Sequence, residues 1–293
     1  MLFPLFLFIA DTVPYCKCGE LTMVAIVITG RGGAGKTTLT ANLSTYFASQ
    51  GYKVLAIDGD LYLPKLAFHF GIDNPKINLH TLLKDPKIKI NDAVYQDMKT
   101  GVYILPGSSN LYEMLDVSSK RLREIVNEIK TRFNITIIDS PVGIPFDTIP
   151  TFKLANYQII VIELERSPIY SVRKMIENEV IKLKQLGEAY ELKVGVIINK
   201  IRESSRNIEP IINFLENEVE VPVIGVVPFD LRVPEATNLG MPVLIYKPRT
   251  KASRGINRCG KSMEKWIFGV RKKESYWDQL YRSVIRILNI RRF

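Results

Sequence analysis

The sequence predicts an α/β fold, doubly wound, with a mostly parallel sheet and helices on both faces, and three observations carry that prediction. Short apolar runs recur along the chain, helical spacing fills the intervals between them, and the best-marked strands end in phosphate- or metal-seeking residues. Strands are expected at 23–29, 53–58, 102–105, 134–139, 157–163, 193–199 and 222–227. Leu39–Gln50, Ser118–Thr131, Ser171–Leu186 and Asn207–Glu216 show helical spacing between them. Repeated β-α-β with apolar strands implies a parallel sheet covered on both sides. The chain has 293 residues, 46% of them hydrophobic. Folds of this class commonly run to roughly 200–250 residues as a single domain. No internal repeat or low-complexity linker divides the sequence.

The first strand, Met23 to Thr29, leads into Gly30-Arg31-Gly32-Gly33-Ala34-Gly35-Lys36-Thr37-Thr38, and a helical pattern follows from Leu39. Strand, glycine-rich loop, helix is the context that makes a G-x-x-x-x-G-K-[ST] match a phosphate-binding loop. Glycines let successive backbone N–H groups converge on phosphate oxygens, and the helix N-terminus adds its positive dipole end. In that geometry Lys36 bridges the β- and γ-phosphates, the Thr37 hydroxyl ligates Mg²⁺, and Thr38 reaches the α-phosphate. Asp58-Gly59-Asp60 closes the strand 53–58, and Asp139-Ser140-Pro141 closes the strand 134–139. Open α/β sheets bind ligands outside the carboxyl ends of their strands, which is where these carboxylates fall. There a carboxylate serves a Mg²⁺ shell or orients attacking water. Read alone, Asp139 fits a turn or a helix cap equally well; read with the loop, it fits the metal.

At these residues the chain resembles the MinD/ParA-type ATPases, P-loop NTPases with a deviant Walker A loop, on the MinD side. The resemblance rests on the loop 30–38, Ile57-Asp58-Gly59-Asp60, Val102-Tyr103-Ile104-Leu105-Pro106-Gly107, and Ile138-Asp139-Ser140-Pro141-Val142-Gly143. It extends through Gly225-Val226-Val227-Pro228 and Asn238-Leu239-Gly240-Met241-Pro242-Val243. It implies ATP and Mg²⁺ as cofactors, with Lys36 and Thr37 on phosphate and metal, Asp58 and Asp139 in the metal shell, and Asp60 orienting the hydrolytic water. It further implies that Asn199 reads adenine, that the loop after Pro228 covers the base, and that ATP joins two copies face to face. One departure bears on catalysis. Where the family carries a lysine after its first glycine, this chain has Arg31, whose planar forked head is not a conservative exchange at a tight site. Arg31 either acts across the dimer as an arginine finger or leaves a subunit that turns over slowly.

The cysteines, Cys16, Cys18 and Cys259, form neither a disulfide framework nor a zinc set, and His69 and His80 are the only histidines. Free thiols in a reducing cytoplasm are the preferred reading. The opening segment, Met1 to Ala10, is strongly apolar, yet too short to span a membrane and without the basic residues that precede a secretory core. The working protein is therefore expected to begin at Met23. The alternative for 1–22 is a hydrophobic appendage or docking peptide. The ATPase domain is expected at 23–270 and a basic tail at 271–293.

From Lys247 to Phe293 fourteen Lys and Arg stand against Glu264, Glu274 and Asp278, whereas the remainder of the chain is nearly balanced. Within this stretch Ala252, Ile256, Cys259, Met263 and Ile267 fall at helical spacing and are expected to close the domain. Beyond them Trp277, Leu280, Tyr281, Val284, Ile285, Ile287 and Leu288 face one way, and Gln279, Arg282, Arg286 and Asn289 the other. An amphipathic helix with a basic face and a Trp/Leu/Ile face suits a membrane interface. MinD-type proteins likewise end in a short membrane-binding helix. A helix over 274–290 folded back on the domain, and a DNA-binding surface, remain the alternatives for this tail. The expectation is thus a cytoplasmic ATPase, peripheral on the inner face of the membrane, that dimerises on ATP and answers to an activator or cargo protein. A DNA-partition ATPase and a slow or non-hydrolysing adaptor are the rival functions.

Overall fold

The computed structural model describes residues 23–108, 110, 119–141, 152–153, 155–164, 169–202 and 208–269. The apolar segment 1–22 with Cys16 and Cys18, the pair Val142 and Gly143, and the tail 271–293 lie outside the described residues.

Eight strands form one sheet: β1 (Val24–Thr29), β2 (Val54–Asp58), β3 (Tyr95–Gln96), β4 (Tyr103–Leu105), β5 (Ile135–Asp139), β6 (Tyr157–Glu163), β7 (Lys193–Ile201) and β8 (Val223–Pro228). Their order is β3-β4-β2-β5-β1-β6-β7-β8, and only β3 pairs antiparallel. The chain builds outward from β1 in one direction, returns to place β5 beside β1, and then builds the other way through β6, β7 and β8. Every residue of β1, β2 and β5 is buried. Strands covered on both faces need apolar side chains at every position, so these read as unbroken runs.

Alternation along β1 distributes the core. Ile26 and Ile28 pack with Leu43, Phe47, Ile256 and Met263 on one face. Val27 points to the other, among Leu79, Leu82, Ile125 and Ile129. A further cluster joins Ile160 and Ile198 to Ile176, Val180 and Leu215. Helices therefore cover both faces, as the doubly wound reading requires.

The helix after the glycine-rich loop spans Lys36–Ser49, so it begins inside the motif rather than at Leu39. Gly35, at φ 94°, turns the strand exit directly into that helix. The helix expected at 118–131 is present as Ser119–Lys130. The one expected at 171–186 runs from Ile169–Met175 through a π turn, Ile176–Val180, into Ile181–Ala189. Glu209–Asn213 likewise passes into a π segment, Phe214–Glu218. The closing helix is Lys251–Phe268, with Ala252, Ile256, Cys259 and Met263 buried against β8 and the helix Lys36–Ser49.

Candidate nucleotide site

The carboxyl ends of β1, β2, β5, β7 and β8 lie at one edge of the sheet, and Lys36, Thr37, Asp58, Asp60, Asp139, Asn199 and Pro228 lie at those ends or just beyond them. Two glycines of the first loop are required by close approach. A Cβ on Gly30 (φ 141°) would lie 2.3 Å from the carbonyl oxygen of Val161, and one on Gly35 would lie 2.4 Å from Asn199 Nδ2. The loop is thus wedged between β6 and the end of β7, with no room for side chains at those two points.

Lys36 is buried, and its Nζ donates to the Arg31 carbonyl at 3.2 Å, curling back over the loop. Burial lowers its pKa, while Asp139 and Asp60 act in the opposite sense. A desolvated ammonium at the mouth of an N-terminal helix end is a strong site for a phosphate oxygen. Beside it, the Thr37 hydroxyl donates to Asp139 Oδ2 at 2.6 Å, and the Thr40 hydroxyl reaches Asp139 Oδ1 at 3.4 Å. Asp58 and Asp139 are register partners across β2 and β5, both wholly buried. Burial raises the pKa of each carboxyl, and for Asp58 the Asp139 charge adds to it.

Asp58 and Asp139 nevertheless do different work. Asp58 Oδ2 accepts from the Leu66 amide at 2.8 Å and Oδ1 from the Asp60 amide at 3.3 Å, folding the loop that follows β2. Asp139 is the carboxylate that touches Thr37. Asp60 accepts from the Tyr62 and Leu63 amides at 3.2 and 3.0 Å, so its carboxylate is presented on a tight turn at the sheet edge. A hydroxyl beside two buried carboxylates suits a hard divalent cation. Among the described residues no group of three or more His, Cys, Asp or Glu is placed to hold a metal ion. Mg²⁺ keeps several waters and takes phosphate oxygens as well as one or two protein ligands.

Asn199 lies at the same edge, buried, with Nδ2 donating to the Ala34 carbonyl at 2.8 Å. Pro228 ends β8, pairs with Ile201, and is approached closely by Gly255 of the closing helix. The two histidines have roles that the sequence reading missed, having weighed them only as metal ligands. His80, fully buried, accepts from the Ser108 amide through Nδ1 (2.9 Å) and donates from Nε2 to the Leu61 carbonyl (2.8 Å). It thereby ties the loop after β4 to the loop carrying Asp60. His69 donates from Nδ1 to the Lys65 carbonyl (3.2 Å), which leaves Nε2 to accept the Thr38 hydroxyl at 3.3 Å. Burial lowers the pKa of His69 and so favours that neutral form.

A glycine loop closing onto a helix N-terminus, a buried lysine, and a threonine–aspartate pair at a parallel-sheet edge define a nucleotide-binding domain of the phosphate-loop class. The chain belongs to the CobQ/CobB/MinD/ParA nucleotide-binding domain family, whose profile it matches over residues 25–243. It is 33% identical over 239 residues to an "uncharacterized ATP-binding protein" of Methanocaldococcus jannaschii, covering 80% of this chain and 86% of that one. Among solved structures it is similar to the septum site-determining protein MinD of Pyrococcus horikoshii complexed with Mg-ADP. The two share 29% identity at a TM-score of 0.74, over 85% of this chain and 99% of that one. The cell division ATPase MinD of Pyrococcus furiosus aligns at 32% identity and a TM-score of 0.71, over 83% and 99% of the two chains. The MinD-side resemblance seen in the sequence is therefore shared by the fold.

Proposed function

We propose that this chain is a MinD-type ATPase that binds ATP–Mg²⁺, pairs with a second copy on ATP, hydrolyses it to ADP and phosphate, and attaches reversibly to membrane. The observation that carries the reading is the Thr37–Asp139 contact at 2.6 Å, made directly behind a phosphate loop whose lysine is already buried. Bound ATP–Mg²⁺ supplies a γ-phosphoryl group open to in-line attack by water. Toward it, the loop amides of Gly30, Gly32, Gly33, Ala34 and Gly35 and the Lys36 ammonium bind and neutralise phosphate oxygens. Thr37 and Asp139, backed by Asp58, would hold the metal, and Thr38 would meet the α-phosphate. Asp60 orients the water. Arg31 brings a second cation to the phosphates, in its own subunit or across the dimer. Asn199 offers Oδ1 to the adenine edge while Nδ2 holds the loop, with the segment after Pro228 over the base.

In this reading residues 23–270 are the ATPase domain and 271–293 the tail. The protein is cytoplasmic and peripheral on the inner face of the membrane, positioning or regulating another assembly through an activator or cargo protein. Among the described residues no helix is long and apolar enough to cross a membrane. Surface attachment has support from the closing helix. Lys251, Arg254, Arg258, Lys261 and Lys265 are all exposed and recur at three- and four-residue steps, so one stripe of that helix is basic from end to end. Basic clusters next to an amphipathic segment favour anionic headgroups. The same stripe favours a second reading, a DNA-partition ATPase held by phosphates alone.

Co-sedimentation with anionic liposomes, and separately with duplex DNA, tests both readings. Each is run with ATP, with ADP, and with a chain truncated after Lys273. ATP-dependent pelleting with liposomes that truncation abolishes supports the membrane switch, whereas pelleting with DNA alone replaces it. A turnover assay on wild type and Arg31→Lys addresses the adaptor alternative, which ready hydrolysis by wild type removes.

A further inference from the structure

One residue at the nucleotide edge has a backbone that its side chain does not explain. Lys200 sits inside β7 at φ 55°. Left-handed backbone is uncommon for a residue other than glycine, and Asn or Asp tolerate it better than Lys. Among the described residues the other three, Asn74, Glu191 and Glu220, lie outside strands. At Lys200 the pairing of β7 with β8 also breaks register, Ile198 facing Val226 and Ile201 facing Pro228. The strand is bulged there.

The bulge has a consequence for side-chain direction. Successive residues of a regular strand point to opposite faces, so Asn199 and Lys200 would diverge. Here both reach the same loop. Asn199 Nδ2 donates to the Ala34 carbonyl at 2.8 Å, and Lys200 Nζ donates to the carbonyl of the preceding residue, Gly33. Lys200 Nζ is also bonded to Glu163 Oε2 at 2.9 Å, at the end of β6, and Glu163 is the register partner of Asn199. Glu163 thus aims the lysine, and the lysine grips the loop. Bulges beside functional sites commonly re-aim a side chain in this way.

We propose that Lys200 is a positioning residue for nucleotide binding: with Glu163 it forms a strut on the Gly33 carbonyl that fixes the turn 31–34 and so the shape of the phosphate loop. A peptide unit cannot turn its C=O and N–H independently, because the bond between them is planar. Fixing the Gly33 carbonyl therefore fixes the next amide, that of Ala34, which donates to the Arg31 carbonyl at 3.3 Å and closes the turn of the loop. Strained backbone persists where surrounding contacts over-determine it, and such strain concentrates at ligand clamps. This inference rests on the reading of loop 30–38 as a nucleotide site.

The strut separates stability from binding, which makes it testable. Lys200→Gly removes the amine and relieves the left-handed strain together. Calorimetric titration of the full chain with ADP–Mg²⁺ should give at least a tenfold weaker affinity for Lys200→Gly. Its thermal midpoint without nucleotide should equal or exceed that of wild type. Glu163→Gln should weaken binding severalfold by leaving the lysine unaimed, and Lys200→Arg, which keeps a donor, should stay within threefold of wild type. Affinity within twofold of wild type for Lys200→Gly would overturn the proposal. So would a midpoint that falls in step with affinity, which marks a residue that only supports the fold. If wild type itself fails to bind ADP–Mg²⁺, the nucleotide reading falls, and the strut with it.

Discussion

At Asp139 burial raises the cost of a negative charge and the Asp60 charge adds to it, while the Thr37 hydroxyl and Lys36 lower it. Such a carboxylate is poised for a cation. Replacing it by Asn keeps the shape and one oxygen but removes the charge. Asp139→Asn is expected to keep the fold, with unfolding free energy within about 1 kcal/mol of wild type. Mg²⁺-dependent phosphate release should drop by at least about a hundredfold, the scale seen when one preorganised electrostatic group is lost. Lys36→Ala should lose comparable turnover and bind ADP more weakly, read by calorimetry. Retention of wild-type turnover by either variant would sink the assignment. At this scale Lys36, Thr37 and Asp139 were legible because each belongs to a local pattern with a known geometry. His80 and Lys200 were not, because their partners are distant in sequence: Lys200 bonds to a residue 167 positions earlier. The Asn-Lys pair at a strand end was the one available signal for Lys200.

The closing helix shows how an element is decided by what it lies against. Its apolar positions were readable from spacing, but its attachments were not. Tyr46 and Tyr52 donate to the two oxygens of Glu264 at 3.2 and 3.1 Å, and Tyr157 packs edge-on to Trp266 with ring centroids 4.9 Å apart. Gly260 sits over Tyr46, where a Cβ would come within 2.4 Å of Cδ1. By helix propensity alone Gly260→Ala should stabilise by about 1 kcal/mol. Overpacking against a buried ring held by its hydroxyl reverses the sign, and a net loss of about 1–2 kcal/mol is expected in urea denaturation. One residue earlier, burial pushes the Cys259 thiol up to about 12 from an ordinary value near 9. Because the folded-state pKa is the higher one, this group's contribution to stability is intact below about pH 9 and is lost progressively as pH rises toward 12. Below that window Cys259 should label with thiol reagents only as fast as the chain unfolds, read by peptide mass spectrometry. Rapid labelling at pH 8 in native buffer would contradict the burial. Several short helices, Ala67–Phe70, Leu79–Lys84, Arg232–Asn238 and Val243–Tyr246, were not anticipated. They are too brief for a periodic signal and are held by neighbours.

Across the whole molecule the fold sets two opposite ends. Nucleotide-site residues gather at the carboxyl edge of the sheet, while Trp266, Ile267 and Phe268 end the closing helix at the amino edge. There Tyr157 begins β6 and its hydroxyl donates to the Ile267 carbonyl, and Tyr52, just before β2, stacks on Phe268. The helix of 18 residues spans about 27 Å at 1.5 Å per residue. The described chain therefore ends at Gly269, on the side of the sheet away from the phosphate loop. On the proposed membrane reading, nucleotide state would reach a membrane through pairing of subunits rather than by direct contact. Two weakly held tails brought together act at high effective concentration. If the basic stripe contributes, the triple variant Arg258→Gln, Lys261→Gln, Lys265→Gln should bind anionic vesicles more weakly by about 1 kcal/mol per residue. Its salt dependence should be shallower and its ADP affinity unchanged. An unaltered vesicle affinity would leave attachment to the tail alone.

The sequence by itself determined the parallel α/β class, the phosphate loop, the carboxylates at the strand ends and the family, because each is written in neighbouring residues whose spacing forces a local geometry. Only the tertiary structure decided that Asp58 folds a loop while Asp139 meets Thr37. It also decided that His80 and His69 brace the site, and that a bulge in β7 turns Lys200 onto Gly33. Those roles depend on which strands lie side by side, and hydrophobic burial across the whole chain settles that order, not any one segment.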